Sequence, residues 1–231
     1  MESKLWNYFP DDRVINGPFE GMRFPHRSGN CSVFFPKLVG CYEAELHGIF
    51  DKLKVNHYEE IWDIGAADGY YAAGLALLFP DARVTAWERN PSAVNNCRIT
   101  CERNEVAERV NIKGLCNREN LMNLECSCRA LIVCDIEGGE GDLFDDDIVS
   151  RLRRTDFIVE LHEAFRPGVT NDLLNIFKKT HTIILIDAIS DEEKVSAYRY
   201  PPLHRMSEVL CRYATAERRY SKMQWLVALA G

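Results

Sequence analysis

The chain has 231 residues, 46% of them hydrophobic and 27% charged, with a formal net charge of -7. That composition excludes collagen-like, low-complexity and disordered classes, and the length favours one domain with elaborations over two full domains. The acidic balance argues against a nucleic-acid backbone or an anionic membrane surface as partner, no apolar run approaches the roughly 20 residues of a membrane span, and the opening MESKLWNYFPDDRV lacks the apolar core of a secretory signal, so the chain reads as cytoplasmic.

Residues 1–35 show no sustained period and are rich in Pro, Gly, Asn and aromatics; this arm has to lie on the body to bury Trp6, Tyr8, Phe9, Phe19 and Phe24. From Pro36, Leu38, Val39, Tyr42, Leu46, Ile49, Phe50 and Leu53 follow spacings of three and four, which predicts one amphipathic helix of about five turns. Short apolar runs then alternate with helical patterns: Glu60 to Ile64, Arg83 to Trp87, Arg109 to Lys113, Ala130 to Asp135, Phe157 to Leu161 and Thr182 to Ile186. Alternating strands and helices imply a mostly parallel sheet covered on both faces, an α/β architecture. Asn90-Pro91 is a cap followed by proline at the first helical position, which starts a helix running to about Arg103. A further helix is expected from Asp142 to Arg154, another near Leu203 to Tyr213, and a last buried strand over Gln224 to Ala230. The clusters Arg151, Arg153, Arg154 and Arg212, Arg218, Arg219 read as helix faces and partners of helix dipoles. Tyr42 and Glu43, with Arg13, Arg23 and Arg27, could reach over a site, although core packing and solvated surface explain them more simply. The nine cysteines include no CxxC pair, so they read as reduced thiols; Cys126 and Cys128 suit neither zinc nor an easy disulfide, and the sequon at Asn30 is coincidental.

The segment Ile61-Trp62-Asp63-Ile64-Gly65-Ala66-Ala67-Asp68-Gly69-Tyr70-Tyr71 is a strand, a glycine turn and a helix start, so backbone amides can face a ligand at the carboxyl end of the strand. A dinucleotide fingerprint would need glycines where Ala67 and Tyr70 stand. The pattern is instead Asp-x-Gly-x-x-x-Gly, with an acid before the turn that can hold a cationic amino acid group. It resembles motif I of the class I S-adenosylmethionine-dependent methyltransferases. Glu88 ends the next strand about 20 residues further on, where an acid can accept both hydroxyls of a ribose. The resemblance implies a seven-stranded, Rossmann-like sheet with an antiparallel last strand, and cofactor binding by Asp63, Gly65, Ala66, Asp68, Gly69, Glu88 and Asp135, with Cys116 and Asn117 edging the adenine.

Two acidic strand ends follow. Asp135-Ile136-Glu137-Gly138-Gly139-Glu140 leaves one buried strand, and Glu160-Leu161-His162-Glu163 leaves the next, so Asp135, Glu137, Glu160 and His162 should converge. The Asp-x-Glu-Gly-x-Glu run followed by Glu-x-His resembles the FkbM-type methyltransferases, the methyltransferase 21 group, over roughly residues 58–190. That likeness implies methylation of a hydroxyl on a small molecule or sugar-like metabolite. A hydroxyl acceptor needs a proton sink, and His162, with an ordinary pKa near 6.5, suits general base work, oriented by Glu160 or Glu137. No metal is required, although the same four groups could gather around Mg2+ and acidify the acceptor.

Residues 1–57 then form an N-terminal arm and helix covering the site, and 58–231 the cofactor-binding domain. A 188–222 insertion, with Tyr198, Tyr200, Pro201, Pro202 and His204, would close the acceptor side. The rival readings are a non-catalytic binding or regulatory module of the same fold and, with the third glycine missing, an NAD-dependent oxidoreductase. Neither the acceptor nor the oligomeric state is encoded in any pattern found.

Overall fold

A computed structural model describes residues 2–25, 33–124, 129–197, 202–219 and 223–231. Its strands are β1 (Glu60–Ile64), β2 (Arg83–Trp87), β3 (Val110–Lys113), β4 (Ala130–Cys134), β5 (Thr155–Leu161), β6 (His181–Asp187) and β7 (Gln224–Ala230). They form one seven-stranded sheet in the order β3-β2-β1-β4-β5-β7-β6. All neighbours pair in parallel except that β7 runs antiparallel to both β5 and β6. The strands expected from the apolar runs are all present, and β5 and β6 each extend beyond the run that signalled them.

Alternating side chains of the central strands feed two separate cores, which is why these strands read as continuous apolar runs. Ile61, Leu131, Val133, Ile158, Trp225 and Val227 pack into one cluster with the N-terminal arm and the helices on that face. Trp62, Ile64, Ile132, Cys134, Phe157, Val159 and Leu226 pack into the other, with Phe144, Ile148, Leu173 and Phe177.

The helices in chain order are α1 (Glu2–Leu5), α2 (Phe35–Val39), α3 (His47–Leu53), α4 (Tyr70–Leu78), α5 (Pro91–Arg103), α6 (Arg118–Met122), α7 (Glu140–Leu143), α8 (Asp146–Arg151), α9 (Val169–Phe177), α10 (Asp191–Ala197) and α11 (Glu208–Thr215). Helix α5 matches its expected span, with the Asn90 side chain accepting the Ser92 amide at 2.9 Å and Pro91 at its first position. The long helix expected after Pro36 is not continuous. Gly40 ends α2 at φ 74°, Glu43 stands at φ 47°, and a 3-10 turn, Ala44–Leu46, leads into α3. Apolar spacing carried through that break because Leu46 and Ile49 face the same core as Leu38. The helix expected over Asp142 to Arg154 is likewise two pieces: α7 ends at Leu143, and the Asp145 carboxylate caps α8 by accepting the Ile148 amide at 2.9 Å. Near Leu203 to Tyr213 there is a 3-10 turn, Leu203–Arg205, and then α11.

The arm lies on the body as its aromatic content requires. Phe9, Phe19 and Phe24 are buried, while Trp6 and Tyr8 are partly so. Backbone bonds between Val14 and Met22 and between Asp12 and Phe24 fold it back on itself, and the Phe19 ring meets Phe50, Tyr70 and Tyr71 at centroid distances of 5.7, 5.2 and 5.8 Å. Arg13 and Arg23 are exposed on it. Arg27, the sequon at Asn30, Cys126, Cys128, Tyr198, Tyr200 and Pro201 lie outside the described residues. Cys41, Cys97, Cys101, Cys116, Cys134 and Cys211 are free thiols. Among the described residues, no helix is long and apolar enough to cross a membrane. Replacing Phe19 by Ala removes a fully packed ring and is expected to lower stability by about 3–5 kcal/mol, read as a lower midpoint in urea unfolding.

Candidate functional site

The glycine turn joins β1 to α4 and is pinned from both sides. The amides of Gly65 and Ala66 both donate to the Trp87 carbonyl at 2.9 and 3.0 Å, and Gly69 donates to the Ala66 carbonyl at 2.8 Å. Gly65 has φ 93°, and a Cβ there would stand 1.7 Å from the Asp135 carbonyl oxygen, so the turn and the exit of β4 touch backbone to backbone. At Gly69, φ 83°, a Cβ would stand 2.9 Å from Cys97 of α5. Glu88 reaches back to this turn: one carboxylate oxygen accepts the Ala67 amide at 2.9 Å and the other the Asn90 amide at 2.6 Å. A carboxylate has about four acceptor positions, so each oxygen keeps one for a ligand hydroxyl.

The strand alternation that places Ile61, Val133 and Ile158 on one face continues to Asp63 on β1, Asp135 just past β4, and Glu160 and His162 at and just past the end of β5. Asp63 is almost fully buried, and its Oδ2 and the Asp135 Oδ1 accept no hydrogen bond among the described residues. Burial first, and then the charges of Asp135 and Glu88, push the Asp63 carboxyl up to about 8. Two sheltered oxygens without hydrogen bonds favour a cationic ligand group.

His162 is buried, with Nδ1 2.7 Å from Glu140 Oε1. Its Nε2 faces Glu137 at 3.4 Å and Asp135 and Glu160 at 3.5 Å each. The four expected groups therefore do converge, but the orienting carboxylate is Glu140, not Glu160 or Glu137. Glu140 is fully buried and also accepts the Ile136 and Gly138 amides. Glu137 has a side chain 66% exposed, and Glu160 is held at 2.8 Å by Arg219. Burial tends to lower the His162 value, yet the Glu140 hydrogen bond and the charges of Asp135, Glu140 and Glu137 outweigh it and hold the imidazolium above its ordinary range.

Two residues read as peripheral belong here. Glu43 is buried, bonded by the Tyr71 hydroxyl and within 3.5 Å of Arg219, and burial raises its carboxyl to about 7 despite that guanidinium. Arg219 is no exposed helix-face cation: it lies beyond α11 and pairs with Glu43, Glu45, Glu160 and Glu217. Burial, then Asp135 and Glu43, drive Glu160 well above the usual carboxylate range, and Arg219 opposes them.

Other expected binding groups also have partners within the protein. The Asp68 carboxylate accepts the Asn96 amide group at 3.0 Å, fastening the turn to α5. Asn117 caps α6 by accepting the Asn120 amide at 3.0 Å, in a reciprocal capping box. Cys116 packs with Trp62 and Trp87, and burial pushes its thiol up to about 12. Pro202 is half-buried and His204 exposed. For a divalent ion, Asp135, Glu137 and His162 offer ligand atoms within 4.8 Å of one another, as do Glu43, Asp135 and Glu160.

No protein-family model matches this sequence, and no curated protein matches it significantly. Solved structures do match. An O-methyltransferase from Bacillus cereus in complex with SAH has a TM-score of 0.54 at 11% identity, covering 82% of each chain. The O-methyltransferase TomG from Streptomyces achromogenes, in complex with SAM and involved in tomaymycin synthesis, gives 0.53 at 15% identity, covering 84% of this chain and 82% of that one. A precorrin-6y C5,15-methyltransferase from Geobacter metallireducens gives 0.51 at 17%, covering 79% of this chain and 85% of the other. The fold is that of the class I methyltransferases.

The geometry around His162 gives a signed expectation. A raised folded value means that the His162 contacts stabilise the fold fully below the unfolded value near 6.5 and lose that contribution as pH rises through the folded value. Glu140→Gln, which removes a charge and keeps the shape, should lower the His162 value measured by imidazole NMR titration and shrink that pH dependence of the unfolding midpoint.

Proposed function

We propose that the chain is an S-adenosylmethionine-dependent methyltransferase that transfers a methyl group to a hydroxyl of a small, sugar-like or other polar acceptor. The observation that carries this reading is a pair of sheltered carboxylate oxygens that accept no hydrogen bond, Asp63 Oδ2 and Asp135 Oδ1, the latter 3.5 Å from His162 Nε2, beside a turn whose amides at Gly65, Ala66, Ala67 and Gly69 are already bonded within the protein. A dinucleotide needs the reverse: free amides for a pyrophosphate and no excess of acid. The amino acid end of S-adenosylmethionine brings an ammonium to such a place, and its ribose brings two hydroxyls to Glu88.

When bound, the cofactor supplies an electrophilic methyl on a sulfonium, so the protein has to align an acceptor, exclude water and take up a proton. Glu140 holds Nδ1 of His162 as the protonated nitrogen, which would leave Nε2 to take up the proton of an acceptor hydroxyl. Because the value of His162 is raised, more of it is protonated near neutrality than of a free imidazole, and transfer should rise with pH through that value. Phe165, exposed and ring-stacked on His162 at 5.8 Å, offers the acceptor an apolar wall. The Glu140–His162 bond also gives a physical reason for the Asp-x-Glu-Gly-x-Glu and Glu-x-His runs, which supports an FkbM-type enzyme within the wider class. Residues 1–57 and 188–222, as arm and lid around the acceptor side, complete the reading.

A divalent ion on Asp135, Glu137 and His162 is a second reading, favoured by their convergence within 4.8 Å. Millimolar Mg2+ giving no heat of binding and no change in transfer would dispose of it.

Titration calorimetry with S-adenosylhomocysteine should show one site, lost or weakened about a hundredfold in Glu88→Ala, since two hydroxyl contacts to a charged group disappear. Binding to Glu88→Ala as tight as to wild type would refute the cofactor assignment. With methyl-labelled S-adenosylmethionine and a panel of polyhydroxylated and phenolic acceptors, His162→Ala should lose about 10²- to 10⁴-fold in kcat while keeping cofactor affinity. Cofactor binding without label transfer to any acceptor would instead favour the non-catalytic module.

A further inference from the structure

The segment between β6 and β7 sends two buried cations into the body of the protein. Lys194 of α10 is fully buried against Glu217. Glu217 in turn accepts the Glu43 amide at 2.8 Å, and its own amide donates to Asp191 at 2.8 Å. Arg219, with a side chain only 17% exposed, goes further: Nη1 donates to Glu160 Oε1 and Nε to Glu217 Oε2, both at 2.8 Å, while Nη2 stands 3.5 Å from Glu43 and 3.3 Å from Glu45. One guanidinium thus joins the N-terminal break after α2, the end of β5 and the segment preceding β7. Its planar fork suits this, because several donors are fixed at once, where an ammonium would act as a point charge.

Glu160 has two oxygens with different neighbours. Oε1 is taken by Arg219, and Oε2 lies 3.5 Å from His162 Nε2. We propose that Arg219 is a positioning residue of the transfer site: by holding Oε1 it keeps Oε2 turned to His162, and it does so only while the segment carrying it is docked against Glu43 and Glu45. The polar wall behind the acceptor is in this way completed by a part of the chain far from the glycine turn and the strand ends. Removing the guanidinium leaves Glu43, Glu45 and Glu160 buried together, with Asp135 beside them, and such a group of acids repels the segment's return. The proposal rests on the reading of His162 as the acceptor's base for its meaning, but not for its geometry.

The test uses the full chain with Arg219→Gln, Arg219→Lys and Glu160→Gln. Hydrogen exchange should run about tenfold faster in peptides covering 202–219 for Arg219→Gln, with β1, β4 and β5 still protected. At one fixed pH, the Nε2 resonance of His162 in a long-range 1H–15N spectrum should move in Arg219→Gln and return part of the way in Arg219→Lys, whose ammonium restores the charge but not the fork, a rescue that a merely space-filling side chain would not give. Exchange and resonance both at wild-type values in Arg219→Gln overturn the proposal, and so does a Lys variant no closer to wild type than the Gln variant. Should Arg219→Gln fail to fold, Glu160→Gln decides: faster exchange over 202–219 supports the link, and unchanged exchange overturns it. S-adenosylhomocysteine calorimetry on the wild type reports separately on the cofactor reading, so a failure there is distinguishable from a failure here.

Discussion

Negative charge gathered where water is scarce governs this molecule. Asp63, Asp135 and Glu160 stand near the carboxyl ends of β1, β4 and β5, Glu88 directly follows β2, and Glu43 is brought to them from the break after α2. Isolated buried carboxylates are expensive, and the surroundings answer in three ways. Glu88 and Glu140 take backbone amides. Glu43, Glu160 and Glu217 take Arg219 and Lys194. Asp63 Oδ2 and Asp135 Oδ1 accept no hydrogen bond among the described residues, the latter having only His162 Nε2 at 3.5 Å, and there a cationic ligand has most to offer.

Much of this was legible in sequence wherever the relevant neighbours were local or set by strand register. Gly65 and Gly69 announced a turn that side chains could not enter, and the structure supplies the reason in the Asp135 carbonyl and Cys97. The convergence of Asp135 and His162 followed from both leaving adjacent parallel strands at the same end. Choosing among Glu137, Glu140 and Glu160 as the partner of His162 could not be done that way. All three fall within the same short motifs, and only the helical turn beginning at Glu140 folds that carboxylate back beneath the ring.

Glu43 and Arg219 were hidden for a different reason. Periodicity ran through residues 36–53 as though they were one helix, and it disguised the left-handed residues at Gly40 and Glu43 that turn the chain toward the sheet. Gly40 directly after Val39 was the available signal, since glycine just past an apolar run ends helices by taking up that conformation. In the same way Asp145 before Ile148 signalled a fresh cap inside the supposed helix from Asp142. Nothing near Arg219 in the sequence could reveal that, besides the adjacent Glu217, its partners are Glu43, Glu45 and Glu160.

The place of β7 has a consequence for how the protein is made. It is the last strand in the chain, yet it lies inside the sheet, between β5 and β6, with both edges paired. During synthesis, residues 155–187 can leave the ribosome while their pairing strand is still being added, so β5 and β6 present open edges rich in Phe, Ile, Val and Leu. Such edges are templates for pairing with another chain. The strand that closes them is also the one that follows Arg219, so completing the sheet and delivering the guanidinium belong to the same late event, and a nascent chain stopped short of Gln224 would be sticky and unfinished at once.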